Sequence, residues 1–537
     1  MSALLLVLIS IVAFLIAYVT YGAWLSKQWG IDDSKPTPAH TRGDGVDYVP
    51  ASSAVLLGHH FASIAGAGPI VGPIAAAIFG WIPVLLWIIV GSIFFGGVQD
   101  YSSLFASIRH DGKSIGEVIQ ANMGAKGKKL FSVFAWLTLL LVVAAFTNIV
   151  ANTFVSVPAA GTASLLFIVV AVGFGNLVYR RGFSLKIGSV IGVALLLACI
   201  ALGNMFPLVL SRNVWIAFLL VYIAIASVTP VWILLQPRDY LNAYLLYAML
   251  AGAVLGLLIS RPTLQLEGYM GFNVGGQYLF PMLFITVACG AISGFHSLVG
   301  SGTSSKQLTK ESDAKIVGYG GMLIEGVLAT IAIITAAYVA GPRLTELLAD
   351  GGPVNVFSDG IGVFMTSFGI PFEIGKSFVA LAVSAFALTS LDTATRLGRF
   401  ILQEYFEPED PTEKKPIFTN MYAATGVTVV LGGLLAVTSW DLIWPIFGSA
   451  NQLLAALALM AVAVWLKKAN KGYKMFIGPI VFMFAATLVA LFFLARTNLI
   501  AQNWILVVFP VVLFVLAIIL LVEGFGILFK TEAPEQK

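Results

Sequence analysis

The chain has 537 residues, 59% of them hydrophobic and only 10% charged. A soluble domain carries about 25% charged residues, so a water-soluble globular protein is excluded. The formal net charge of +4 comes without the clustered basic and aromatic residues of a nucleic-acid surface.

Apolar runs of about 20 residues, each able to cross a hydrocarbon core of about 30 Å as a helix, recur from end to end. The run from Met1 to Leu25 lacks a basic leading stretch and a small-residue cleavage site, so it reads as a retained helix. In chain order the runs predict about fifteen helices, over roughly 3–25, 52–79, 81–107, 129–157, 162–179, 186–208, 213–235, 240–260, 280–302, 316–340, 376–402, 418–437, 441–467, 475–495 and 502–528. The stretch 341–375 is polar and interrupted by Gly351, Gly352 and Pro353, and is expected as a long external loop with a short amphipathic piece. Cys199 and Cys289 fall in apolar runs without CxxC or other metal spacing and read as small core hydrophobes.

The basic residues assign the sides. With the loop 26–51 on one side and the sides alternating at each helix, every Lys and Arg falls on that loop's side except Arg212, Arg261, Arg343, Lys376 and Arg496. The positive-inside rule makes that side cytoplasmic. The N-terminus is then expected outside and the C-terminus inside.

Two helices carry breakers where a plain span would carry Leu or Val. They are Ser63-Ile64-Ala65-Gly66-Ala67-Gly68-Pro69-Ile70-Val71-Gly72-Pro73 and Ile292-Ser293-Gly294-Phe295-His296-Ser297-Leu298-Val299-Gly300-Ser301-Gly302. Set against each other, Ile64 matches Ile292, Gly66 matches Gly294, Val71 matches Val299, Gly72 matches Gly300, and Ile70 sits opposite Leu298. The stretch 145–153 is likewise similar to 387–395. By the charge-based sides, the members of each pair run in opposite directions. An inverted pair of broken helices is the pattern of secondary transporters with a midplane site between two halves. Freed N–H groups at a half-helix start hold a carboxylate, and freed carbonyls at a half-helix end coordinate a cation.

Ionisable residues inside spans are functional candidates. Asp100, with Gln99 beside it, serves a site or bonds a neighbouring helix. Glu325 carries a coupling proton or forms a structural pair. His296 lies inside the second break and is the better histidine for substrate contact. His59 and His60 precede the first break, and because adjacent positions differ by about 100° around a helix only one of them faces a given ligand. A metal site built from these histidines is not expected, since no carboxylate or cysteine sits at ligand spacing. Asn451 and Gln452 follow Trp444-Pro445-Ile446-Phe447-Gly448, where Trp444 and Phe447 gate an outer vestibule or anchor at the interface. Arg238-Asp239 is expected as a staple of a short cytoplasmic turn. Asp392 pairs with Arg396 one turn along or serves the site.

Several stretches resemble the carbon starvation protein A (CstA) family of peptide and pyruvate transporters. They are Asp47-Tyr48-Val49-Pro50, Gly58-His59-His60-Phe61, Ile64-Ala65-Gly66-Ala67-Gly68-Pro69, Val98-Gln99-Asp100, Leu235-Gln236-Pro237-Arg238-Asp239-Tyr240-Leu241-Asn242, Ile292-Ser293-Gly294-Phe295-His296, Ser301-Gly302-Thr303 and Asn451-Gln452-Leu453-Leu454-Ala455. Many family members are longer at the C-terminal end. The resemblance implies an all-α membrane protein with a five-plus-five inverted-repeat core similar to amino-acid transporters. The expected units are an extra helix and loop (1–46), repeat one (47–208), an inserted helix pair (209–279), repeat two (280–467) and C-terminal helices (468–537). It also implies that the Thr389 and Ser390 hydroxyls, with carbonyls from Gly66 to Ile70, hold a cation.

The expected function is cation-coupled import, by proton or sodium symport and without a cofactor, in the cytoplasmic membrane. The substrate is a small molecule with a carboxylate, either a short peptide or pyruvate, docked by Gly66, Ala67, Gly68, Gly294, Phe295, His296 and His60. A channel would require rings of like charge or carbonyls. An enzyme would require a nucleophile with its base, or metal ligands, and the five histidines and two cysteines are too scattered for either. The sequence leaves the oligomeric state open.

Overall fold

Where the apolar runs meet a helix starter or stopper, helices begin and end. The computed structural model of the chain describes residues 2–44, 48–230, 233–408 and 415–529. The motif residue Asp47 and the basic residues Lys414, Lys530 and Lys537 lie outside them, as do 231 and 232 in the expected helix 213–235. Helix α1 (Ala3–Trp29) is followed by α2 (Ser53–Ile64) and α3 (Gly68–Ala75), then α4 (Trp81–Arg109), α5 (Ile115–Ser156), α6 (Pro158–Val178), α7 (Leu185–Met205), α8 (Arg212–Val228) and α9 (Leu235–Ser260). A small antiparallel hairpin pairs β1 (Asn273–Val274) with β2 (Gln277–Tyr278). The chain continues through α10 (Leu279–Thr286), α11 (Gly294–Gly302), α12 (Lys315–Val339), α13 (Gly341–Thr366), α14 (Phe372–Phe406), α15 (Met421–Ala436), α16 (Trp440–Lys468), α17 (Lys474–Ile500) and α18 (Trp504–Leu528). Local chemistry explains several boundaries. Pro158 opens α6, where its missing N–H costs nothing. The Asn420 side chain accepts from the Tyr422 and Ala423 N–H groups at the start of α15.

Among the described residues, eleven helices are long and apolar enough to cross a membrane, or twelve if the bent pair α2–α3 is one crossing. The expected fifteen is not reached on these terms. Helices α8 and α15 have 17 and 16 residues. The expected helix 280–302 is two pieces of 8 and 9 residues.

The stretch 341–375 is not a loop. It forms α13, kinked where Gly352 takes a φ of 71° ahead of Pro353. Its second half buries Val354, Val356, Phe357, Ile361 and Phe364 against α5, α12 and α14. The polar residues that suggested a loop are paired. Asp359 accepts from Arg343 at 3.0 Å and lies 3.5 Å from Lys376.

The helices sort into an inner and an outer set. In the most apolar window of α16, 94% of residues are buried, against 28% in α18. Helices α5 and α14 make the most extensive helix pair, and α16 packs on α5. The outer helices α1, α7 and α18 expose apolar side chains such as Leu15, Val190 and Val508. Such a surface is at home in lipid and would be an aggregation liability in water.

Both expected breaks are present and they lie against each other. The chain bends by 47° between α2 and the helical stretch beyond the first break. Between α10 and α11, residues 287–293 leave the helix. A Cβ placed on Gly68 would stand 2.5 Å from Cys289, and one on Gly72 would stand 2.6 Å from the Thr286 carbonyl oxygen. Glycine is what lets the two broken segments cross at this distance. Backbone groups freed inside a membrane need partners. At the second break side chains supply them. Trp444 Nε1 donates to the Thr286 carbonyl at 3.1 Å, Trp87 Nε1 to Val287 at 3.1 Å, and Ser92 Oγ to Gly290 at 3.2 Å. The Phe295 N–H donates to Asn451 Oδ1 at 2.9 Å.

Replacing Trp444 with Phe keeps an aromatic ring but removes the indole N–H and strands the Thr286 carbonyl. Leaving one buried acceptor unpaired costs about 1–3 kcal/mol. A lowered thermal midpoint in detergent is therefore expected for Trp444→Phe, and an unchanged midpoint would refute the capping role.

Candidate functional site

The second break delivers a histidine between two acids. Gly294, the first residue of α11, lies directly against Asn451 and Ala455 of α16, and no side chain fits there. Two residues on, the His296 ring is fully buried. Its Nδ1 lies 2.8 Å from Asp100 Oδ2 of α4, and its Nε2 lies 3.3 Å from Glu325 Oε2 of α12. Both acid-bearing helices contain a π-helical stretch just before the acid, Ser92–Gly96 in α4 and Lys315–Gly320 in α12. An extra residue in a turn rotates the rest of the helix, and such bulges recur at functional sites.

Both ring nitrogens thus face carboxylates, and only an imidazolium donates at both. With its amide oriented so that both contacts are donor to acceptor, the Gln99 nitrogen completes the cluster, 2.7 Å from Asp100 Oδ1 and 2.9 Å from the Ser293 carbonyl. Glu325 has no hydrogen-bond donor among the described residues, its ion-pair contact with His296 aside. The sequence singled out Asp100, His296 and Glu325 separately, and the fold brings them together.

His60 stands apart from that contact set. Its Nδ1 lies 2.8 Å from Ser304 Oγ beyond the end of α11, and its Nε2 is buried without a hydrogen-bond partner among the described residues. Phe295 and Ile70 are buried beside the breaks.

At the first break, a Cβ on Gly66 would lie 2.6 Å from Ser390 Oγ and 3.0 Å from the Phe146 ring. Ser390 Oγ donates to the Ser63 carbonyl at 3.4 Å. The N–H groups of Gly66, Ala67 and Gly68, at the start of α3, bond to no group among the described residues. Phe447 reaches this region, its ring 6.1 Å from that of Phe146 and 5.2 Å from that of Trp444. Trp444 is buried and commits its N–H to Thr286, so it is neither an interfacial anchor nor a free gate.

Thr389 does not join Ser390 at the break. Its hydroxyl donates to Asp239 Oδ1 at 3.0 Å and accepts from Asn242 Nδ2 at 3.0 Å, with Arg238 NH2 at 3.3 Å. The paired-hydroxyl arrangement expected with Gly66 to Ile70 is therefore not assembled. One residue along a helix turns the side chain by about 100°. That rotation sends Ser390 to α2 and Thr389 to α9.

Arg238 and Asp239 are likewise not a surface staple. Arg238 is 1% exposed on α9 and bonds Asp392 of α14, and its other nitrogen lies 3.2 Å from Asp239. Tyr222 of α8 donates to Asp392 at 3.0 Å. Asp392 is thus not paired with Arg396, which instead donates to the Ala226 and Thr229 carbonyls at the end of α8 at 2.8 and 2.6 Å. A buried guanidinium needs a carboxylate within reach, and a residue one turn away that already caps a helix end does not need one.

Sequence reasoning does not single out Trp87, Tyr222 and Asn242 as contributors, although their signal is present. Each is a hydrogen-bonding residue in mid-helix, where a span in lipid would carry an apolar one.

Known proteins share this architecture. The family model for carbon starvation protein CstA matches residues 2–347 and 343–490. The peptide transporter CstA of Escherichia coli is 33% identical over 88% of this chain and 78% of its own length. That of Bacillus subtilis is 33% identical over 88% and 86%. The E. coli pyruvate/proton symporter BtsT is 32% identical over 88% and 78%. Among solved structures, a manganese transporter from Eremococcus coleocola shares the fold, with a TM-score of 0.51 at 11% identity, covering 90% of this chain and 99% of that one. With a helical membrane architecture, two crossed breaks and a family model spanning most of its length, this chain is a multi-pass membrane transporter that belongs to the carbon starvation protein CstA family.

Proposed function

We propose that this chain is a secondary active importer of short peptides, driven by proton symport, with its N-terminus outside and its C-terminus in the cytoplasm. The observation that carries this reading is a pairing. N–H groups at Gly66, Ala67 and Gly68 without a partner among the described residues stand at the start of a half-helix, and the crossing segment brings His296 between Asp100 of α4 and Glu325 of α12. A half-helix N-terminus attracts a carboxylate. A buried acid–imidazole–acid set changes its charge by gaining or losing one proton, and so ties protonation to the conformation around it.

On this reading the two repeats (47–208 and 280–467) form a five-plus-five core around the inserted pair (209–279), and one repeat rocks against the other. Gly294, Phe295 and His60 are buried around the breaks and pack them rather than bind the carboxylate directly. Protons are favoured over sodium because the hydroxyls that would hold a sodium ion are engaged apart from each other: Thr389 donates to Asp239 and Ser390 to the Ser63 carbonyl. Pyruvate is the second reading. It satisfies the same carboxylate argument, and the relative named a pyruvate/proton symporter is about as similar to this chain as the peptide transporters are.

Reconstitution in liposomes tests the reading. Labelled dipeptide is expected to accumulate when a proton gradient is imposed and to ignore a sodium gradient. Flux indifferent to both gradients would sink the symport claim, and accumulation of pyruvate alone would favour the second reading. Gly66→Leu is expected to abolish uptake while the protein stays in the membrane, since Ser390 and Phe146 leave no room for a side chain. Wild-type uptake by that variant would displace the site. Glu325→Gln is expected to keep exchange of internal for external substrate and to lose proton-driven accumulation at least about tenfold. Accumulation at the wild-type level would remove Glu325 from coupling.

A further inference from the structure

A cleft of about 310 Å³ lies between the first half of the broken span, α2, and the first turns of α9. Its walls include His59 of α2, Gln236, Asp239, Tyr240 and Tyr244 of α9, and Gln307 from the segment after α11. The Tyr240 and Tyr244 rings meet edge to face at 5.5 Å, and their hydroxyls are 3.0 Å apart. On the proposed orientation the cleft opens towards the cytoplasm, because α2 and α9 both begin there.

The inner wall of the cleft connects to the first break through α14. Asp239 lines the cleft and accepts from Thr389 at 3.0 Å. The next residue of α14, Ser390, bonds Ser63 and stands against Gly66. One helical step of α14 therefore separates the cleft from the unbonded N–H groups of α3.

The charge on that wall is acidic in character. One guanidinium, Arg238, serves both Asp239 and Asp392. The neighbouring Arg396 is committed to the Ala226 and Thr229 carbonyls. Tyr240 stacks on Phe174, which leaves the exposed Tyr244 ring as the aromatic surface of the cleft, and a carboxylate near such a ring suits an ammonium, through an ion pair and cation–π attraction. The same carboxylate repels a small anion. The Gln236 and Gln307 amides offer both donors and acceptors, as a peptide unit requires. The volume lies at the lower end of the range for small-ligand pockets, about 300–1,000 Å³. That is room for a dipeptide and excess for a three-carbon acid.

We infer that this cleft is a second substrate site, on the cytoplasmic exit path, that takes the free α-ammonium group of a short peptide at Asp239. The inference rests on the proposed transporter function and adds a selection against substrates that lack an amine. A peptide leaving the break presents its ammonium to Asp239, while its amide groups meet Gln236 and Gln307. Pyruvate has no group for this wall.

The test is cysteine protection in inside-out vesicles holding the full-length protein. Ala243 also lines the cleft and is small. In Ala243→Cys, a membrane-impermeant maleimide added to the cytoplasmic face labels the new thiol, and the parent protein, whose Cys199 and Cys289 are buried, gives the background. Alanyl-alanine is expected to slow labelling several-fold, while N-acetyl-alanyl-alanine and pyruvate leave the rate unchanged. Asp239→Asn in the Ala243→Cys background is expected to lose the protection by alanyl-alanine. Equal protection by the acetylated and free dipeptides, or none by either in vesicles that transport dipeptide, overturns the second site and leaves the transporter reading standing. Labelling only in right-side-out vesicles overturns the exit path. Pyruvate uptake without any dipeptide uptake overturns the peptide reading and this site with it.

Discussion

A polypeptide inside a membrane cannot leave its backbone polar groups to water, and the two breaks in this chain are organised around that constraint. Each break frees N–H and C=O groups that a continuous helix would pair internally. At the second break the Thr286, Val287 and Gly290 carbonyls and the Phe295 N–H each have a side-chain partner from another helix: Trp444, Trp87, Ser92 and Asn451. These four residues come from α4 and α16, so pairing the backbone also ties three segments together. At the first break the carbonyl side is met by Ser390, while the N–H side has no partner among the described residues. The asymmetry separates a braced segment from one with free donors. A ligand with acceptor oxygens fits the second kind.

Buried charge follows the same logic. Two clusters of ionisable residues sit inside the helical bundle, and each joins helices distant in the chain. Asp100, His296 and Glu325 link α4, α11 and α12. Arg238, Asp239, Asp392 and Tyr222 link α8, α9 and α14. A lone buried ion costs several kcal/mol of desolvation, so each group persists where its partner is delivered by the fold. The clusters differ in balance. The first has carboxylates on both sides of one imidazole, and its charge depends on a titratable ring. The second is built on a guanidinium, which stays charged at any physiological pH. The first cluster can therefore change its charge with one proton, whereas the guanidinium of the second is a fixed charge that ties α9 to α14.

The inner helices are selected by shape as much as by hydropathy. Gly68, Gly72 and Gly294 lie at points where a single carbon would collide with the crossing segment. Without a hydrophobic driving force between helices in lipid, close approach of small residues is the main source of packing energy. The outer helices α1, α7 and α18 carry the large exposed apolar side chains, and where they touch the bundle they too use glycine, Gly203 of α7 against the Ala159 carbonyl and Gly524 of α18 against Met460.

How much of this was legible in the sequence depends on the range of the interaction concerned. Composition established a membrane protein because apolar runs are a local property. The glycine-rich stretches around Gly66 and Gly294 announced the breaks because helix interruption is also local. Motifs in contiguous residues pointed to the family for the same reason. Local spacing suggests Arg396 as the partner of Asp392, whereas Arg238 reaches it from another helix 154 residues away in the chain, and Thr389, expected by resemblance at the first break, bonds Asp239 instead. The stretch 341–375 looks like a loop in sequence because its polar residues are paired only in space, as Asp359 is with Arg343 and Lys376, and because the run 351–362 is buried on all sides by other helices. Sequence by itself determined that this chain crosses a membrane and breaks twice on the way. The tertiary structure alone decided which hydroxyl faces the break and which acids meet His296, because one residue of helical rotation changes the neighbour and no local rule reports the neighbour's identity.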